Sequence, residues 1–293
     1  KDVDNLVVPA WVFEAFGQSP EPRHFRYEAM LYPGGRGHNH WQQGSSIPDI
    51  SQQETKLWFY FLAASYIDVG CEAIHFGQAE IMDGNDPDHR HWSELLSKIR
   101  EYAALHARRH LVLCDAHVPS GGLLHGDRLL LDFHSFPLRI VEVPERPQEG
   151  VLKVGAMDSI YGRSKGGIAP CGWRCEHLPY LVELDNWDVS NRPGQPNVGG
   201  CWVWGYDEIS WFAHQDETYR NQWLQYAWNW VREHDRNGFF QMPGSRVLHA
   251  PVGNQHWYYA NTRSDAVPQG FGQEETIKAI WSGNMNKEEA PQP

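Results

Sequence analysis

The chain has 293 residues, 41% of them hydrophobic, with 25 basic and 37 acidic side chains and a formal net charge of −12. That length allows one large core or two modest ones. No stretch approaches the roughly eighteen uncharged apolar residues of a membrane span, and the acidic balance disfavours nucleic acid while suiting a neutral or cationic small substrate.

In chain order, a first strand is expected at 11–17 (WVFEAFG), with Val12 and Glu14 on one face. The stretch 18–53, rich in Gly, Pro, His and Asn, is long for a loop in a compact domain and is expected to be functional or disordered. Helical spacing predicts a helix over 54–68, ended by Gly70, and another over 91–108 with Leu95, Ile99, Tyr102 and Leu105 on one face. Between them a strand at 72–78 carries His75 and leads to Gln78 and Glu80. Strands at 110–116 and 129–135 follow, ending in Asp115 and His117, and in Asp132 and His134. A short strand at 151–156 precedes a Gly-rich loop, 161–173, that lacks the phosphate-loop pattern. The strand at 180–185 carries Glu183 and Asp185, a helix is expected over 216–233, and a last strand over 239–244. The tail after Lys287 is expected to be disordered.

Alternating strands and helices without internal repeats indicate an α/β fold. No G-x-G-x-x-G follows the first strand, as a doubly wound dinucleotide fold would require. The prediction is therefore one domain, a single (β/α)8 TIM-like barrel with long βα loops, core about 8–243 and a C-terminal extension over 244–286. Ionisable groups are costly to bury unless paired, so their recurrence at strand ends points to an active site at the barrel mouth. Because strand side chains alternate faces, parity selects Glu14, His75, Glu80, Asp115, His117, Asp132, His134, Glu183 and Asp185 as the converging set.

Glycoside cleavage fits this set, since it needs two carboxyls flanking the scissile bond. Glu80 and Glu183 are the expected catalytic pair. Asp115 and Asp132 would bond hydroxyls or orient Glu80. Glu14, His75, Gln78, His117, His134 and Asp185 would line the site, and Trp187, Trp204 and Tyr206 would be platforms for sugar rings. Metal-assisted hydrolysis is the alternative, with Asp115-x-His117, Asp132-x-His134 and Glu183 as ligands for Zn, Mn or Fe. Against it, His38-x-His40 and His89-x-His91 fall in loops rather than on the first strand. A third possibility is a non-catalytic carbohydrate-binding barrel, which would keep the aromatics but have no need of so many acids. No G-x-S-x-G elbow supports a serine hydrolase.

A barrel with strand-end glutamates and fourteen tryptophans resembles the (β/α)8 glycoside hydrolases of polysaccharide-degrading bacteria over about 8–243. The likeness is architectural: Glu80 stands in GQAEIM and Glu183 in LVELDN, and neither forms the Asn-Glu-Pro motif of the large retaining clan. The resemblance implies Glu80 as acid/base and Glu183 as nucleophile, a carbohydrate substrate and no cofactor or metal.

Of five cysteines, Cys71 and Cys114 are expected to be inert buried thiols in apolar strands. Cys171, Cys175 and Cys201 lie in loop-rich sequence, with room for one disulfide in an oxidising compartment. A start at Lys1 without Met fits a processed, secreted or periplasmic protein.

Overall fold

The computed structural model describes residues 2–157 and 159–283, and the tail after Lys287 lies outside the described residues. In chain order the elements begin with helices α1 (Ala10–Ala15) and α2 (Gln53–Asp68), strand β1 (Ala73–His75) and helix α3 (Arg90–His106). Short strands follow: β2 (Leu113–Asp115), β3 (Leu124–His125), β4 (Arg128–Leu129), β5 (His134–Pro137), β6 (Ile140–Glu142), β7 (Gly150–Leu152), β8 (Gly167–Ile168), β9 (Arg174–Cys175) and β10 (Tyr180–Glu183). The chain closes with α4 (Glu208–His214), α5 (Glu217–His234), β11 (Gly238–Phe240), β12 (Ser245–Val252), β13 (Gln255–Tyr259) and α6 (Glu274–Trp281).

The class is α/β, but the expected barrel does not form. The described strands make five separate sheets of two to four strands, and no eight-stranded barrel closes among the described residues. The resemblance to barrel glycoside hydrolases falls with it. Burial on β2 gives the physical reason: Leu111 and Leu113, expected on an enclosed inner face, are exposed, while Val112, Cys114 and Ala116 are buried. Chain 129–135 is likewise split, with pairing at Arg128–Leu129 and again from His134 onward. The expected strand 11–17 is helix α1, in which adjacent Val12 and Phe13 are both buried, as on a helix face rather than an alternating strand.

The chain forms two compact units: unit 1 comprises 1–134 and 165–178, and unit 2 comprises 135–164 and 179–293. In unit 1, β1 and β2 pair in parallel with His75 opposite Asp115. Helices α2 and α3 pack together through Phe59 stacked on Trp92 (5.9 Å, 29°) and through the Lys56–Glu94 ion pair at 2.7 Å. The buried face of α3 is Trp92, Leu95, Leu96, Ile99 and Ala103, so Leu105 of the expected face is exposed. Strands β3, β4, β8 and β9 form a small mixed sheet over Leu129, Cys175 and Leu178. The long stretch 18–53 is anchored rather than loose. Glu54 on α2 is gripped by Arg23 through two bonds (2.7 and 2.8 Å) and accepts from the amide of Arg26 (2.9 Å).

In unit 2, β10 lies between β5 and β11 and runs parallel to β11. Beside this sheet the core gathers Trp211, Phe212, Trp223, Phe240 and Tyr258. Three of its indoles also serve as donors. Trp211 gives its ring N–H to the carbonyl of Gln148 (2.8 Å), Trp204 to Glu149 (2.7 Å) and Trp223 to Gly150 (2.8 Å). The indoles thus brace the chain at the start of β7, in addition to the backbone bond from the Val143 amide to the Glu149 carbonyl (3.1 Å). Helices α4 and α5 start on Asp207 and Asp216, whose carboxylates accept from the amides of Ser210 and Tyr219, both at 2.8 Å. β12 and β13 form an antiparallel hairpin in the expected C-terminal extension.

No helix among the described residues is long and apolar enough to cross a membrane. All five cysteines are free thiols. Cys71 is exposed, against expectation, because it follows the end of α2 rather than lying in a strand, whereas the buried Cys114 thiol is pushed up to about 12 by burial.

Because Glu54 is buried, Arg23→Met leaves a carboxylate without its counter-charge and should lower stability by roughly 3 kcal/mol. Adding Glu54→Gln, which keeps an acceptor for the Arg26 amide, should restore most of that loss in urea unfolding. Equal instability of the single and double variants would show that the ion pair does not hold this loop.

Candidate functional site

The expected catalytic pair draws one carboxylate from each unit: Glu80 belongs to unit 1 and Glu183 to unit 2. Glu80 sits in a turn after β1, where both its oxygens face the amide of Ser120 (3.1 and 3.4 Å). Gln78 is exposed in the same turn. Near the β1–β2 pair, His75 Nδ1 meets Asp115 Oδ2 at 2.8 Å, and the ring of His117 stands edge-on to His75 at 4.7 Å. His134 is fully buried, and burial holds its imidazole down at about 4, with Asp115 acting in the opposite direction. Unit 1 thus brings His75, Asp115 and His117 together around one strand pair.

Four expected site residues are placed elsewhere. Glu14 is exposed on α1, because its segment is helical. Asp132 accepts from Arg100 (2.9 Å) on α3 and from the amide of Cys114 (2.8 Å), so its carboxylate is spent on holding the chain beside β2. That also removes it from the Asp-x-His ligand set, and no group of three or more His, Cys, Asp or Glu suited to a metal ion occurs among the described residues. Trp204 and Tyr206 are buried in the core of unit 2, Tyr206 stacked on His214 (4.7 Å), and neither presents a face to a sugar.

Glu183 has a different setting. It ends β10 and lines a cleft of about 520 Å³ with Asn186, Gln241, Met242, Arg246 and Trp257. β12 and β13 build the facing wall, with Val247 opposite Trp257 in the hairpin register. Arg246 pairs closely with Glu183 through one nitrogen, while its other lies 3.2 Å from Asn186 Oδ1 and 3.7 Å from Asp185 Oδ1. Glu183 and Asp185, two residues apart at the end of one strand, therefore share one guanidinium. Trp257 is 45% exposed, and its ring is near-parallel to Tyr259 (6.3 Å, 15°), a flat apolar surface beside charged groups.

Behind Asp185 lie two buried acids. Glu208 accepts from Arg139 (2.8 Å) and from the indole of Trp187 (2.9 Å), and burial raises its carboxyl against the pull of Arg139. Asp207 is fully enclosed. Burial first, then the neighbouring charges of Glu208 and Asp185, push it up to about 7, despite its bonds to Ser210. One of its oxygens has no hydrogen-bond partner among the described residues and stands 3.9 Å from His249 Nδ1. Trp187 is half-buried, stacked on Trp202 (5.4 Å, 14°) with Arg139 over its ring.

Arg246, Trp257, Asp207 and Glu208 were not expected as site residues. The hairpin that carries Arg246 and Trp257 was readable from the Gly253-Asn254 turn between apolar-rich segments. Asp207 was readable as a helix cap from its position before EISWFAH. No protein-family model, curated protein or solved structure matches the chain.

Asp207 has a testable effect on stability. A carboxyl raised from 3.8 to about 7 binds a proton more tightly in the folded state. Its stabilising contribution is present at low pH and is lost as pH rises from about 4 through 7, by on the order of 1–4 kcal/mol. Asp207→Asn keeps a capping side chain and should remove this slope, seen as the difference between the two proteins in urea unfolding from pH 4 to 8. His134, depressed to about 4, acts in the opposite direction but equally in both proteins. Parallel stability curves would show that Asp207 is ionised throughout.

Proposed function

We propose that the protein hydrolyses a glycosidic bond in a poly- or oligosaccharide at the unit 2 cleft, with Glu183 as the reacting carboxylate. The observation that carries this is the opening of Glu183 into a cleft walled by the exposed ring of Trp257. A sugar offers an apolar ring face and polar edges. The indole suits the face, and Asn186, Gln241 and Arg246 suit the hydroxyls.

Glycoside cleavage uses one carboxylate as base or nucleophile and one carboxyl as proton donor to the leaving oxygen. Glu183, held and neutralised by Arg246, takes the first role. Asp185, which shares Arg246 with Glu183, is the candidate for the second. Burial first, then the neighbouring charges of Glu208 and Asp185, keeps a proton on Asp207 up to about pH 7. Arg246 also fixes the two carboxylates relative to each other.

Incubation with a glycan library, followed by measurement of released reducing ends, tests the reaction class. Glu183→Gln and Asp185→Asn should each lower kcat about a thousandfold with the circular dichroism spectrum unchanged. Trp257→Ala should raise KM with little change in kcat. Wild-type rates in both carboxylate variants would sink the assignment.

A further inference from the structure

The hairpin that walls the Glu183 cleft carries a second aromatic ring beyond it. On β13, Gln255, Trp257 and Tyr259 are alternate residues, so their side chains share a face, while Tyr258 between the two rings is fully buried in the core. Across the hairpin Val247 stands opposite Trp257 and Ser245 opposite Tyr259. This face begins in the cleft, which Ser245, Val247 and Trp257 line, and continues along β13 to Tyr259.

The two rings follow one another at the repeat of the strand. Their centroids lie 6.3 Å apart, about the rise of two extended residues, and their planes differ by only 15°. Trp257 is exposed and Tyr259 half-buried, so both reach solvent. The other members of the face, Ser245, Val247 and Gln255, carry no charge. Apolar rings among uncharged polar groups suit a neutral ligand with apolar faces and polar edges. The cleft's volume of about 520 Å³ falls within the roughly 300–1,000 Å³ of sites that enclose drug-sized ligands, and so has room for more than one sugar ring.

We propose that the cleft takes a linear β-1,4-linked pyranoside chain, with one unit at Glu183, the next over Trp257 and a third over Tyr259. Only the placement of the first unit rests on the hydrolytic assignment above. Equatorial β-1,4 links make a flat ribbon whose successive units present apolar C–H faces. Two near-parallel rings one strand repeat apart can meet successive units of such a ribbon. An α-1,4-linked chain coils, and its units leave the line of a straight strand. Tyr259 is then a specificity-determining residue for chain length, remote from the reacting bond.

Sulfur-linked analogues of cellobiose and cellotetraose, which resist hydrolysis, are titrated into the full chain by calorimetry. The tetrasaccharide should bind about tenfold more tightly than the disaccharide, the gain from one added aromatic contact. Tyr259→Leu, which keeps an apolar side chain in the hairpin, should remove that gain and leave the disaccharide affinity unchanged. Tyr259→Phe should retain the gain, and Trp257→Ala should weaken both ligands. Sulfur-linked maltotetraose should bind no better than the disaccharide. The proposal is overturned by no measurable binding, by equal affinity for the two chain lengths, by maltotetraose binding as tightly as cellotetraose, or by an undiminished gain in Tyr259→Leu. The length and linkage comparisons use the wild-type protein, so they decide the matter even where a variant does not fold. Binding with the expected pattern, but without release of reducing ends from the oxygen-linked chains, would support this inference and overturn only the hydrolytic assignment.

Discussion

Most strands of this protein are two to four residues long, so sheet ladders leave many buried amides and carbonyls without a partner. Side chains fill that role. Glu54 accepts from the amide of Arg26, Asp86 from His91, Asp132 from Cys114, Glu142 from Asn197 and Trp204, and Asp235 from Gly162 and Asn237. Indoles add donors to the carbonyls of Gln148, Glu149 and Gly150 at the start of β7. A carboxylate is well suited to this task, because two oxygens can take several N–H groups and charge-assisted bonds are stronger than neutral ones. Much of the acid and tryptophan content thus holds irregular chain in place.

This duty changes how the strand-end acids are weighed. An acid bonded to a loop amide has a structural reason to be there, which accounts for Asp132 and for the contact of Glu80 with Ser120. Glu183 is set apart by its position. It meets a guanidinium instead of tying up a loop, and it borders a cleft rather than the core. Asp207 is intermediate, capping α4 through one oxygen while the other faces only His249. The candidate site is therefore a small part of the acidic set: Glu183 and Asp185 around Arg246, with two buried acids behind them.

Local pattern was the legible part of the sequence. The helices expected at 54–68, 91–108 and 216–233 coincide with α2, α3 and α5 to within two residues at each end, because helical periodicity and the Gly70 stop are local signals. Segments 72–78, 110–116 and 180–185 do contain β1, β2 and β10. Closure was not legible, because nothing in a strand's own residues states how many neighbours it will have. Parity failed at Asp132, since alternation holds only within continuous extended chain and 129–135 is interrupted. For the site, Glu183 and Asp185 could be picked from their strand, but their shared partner Arg246 lies some sixty residues later on another hairpin.

The interleaving of the two units constrains the order in which the chain can fold as it is made. Unit 1 opens the chain but takes its last segment from 165–178, which supplies β8, β9 and the side chains of Cys175 and Leu178 that cover Leu129. Before those residues emerge, 135–164 must already have left the ribosome, carrying β6 and β7 of unit 2 without α4, α5 or β10. Domains usually fold from the N-terminus onward as they are synthesised. Here the first unit cannot be completed until residues 135–164 of the second have been made.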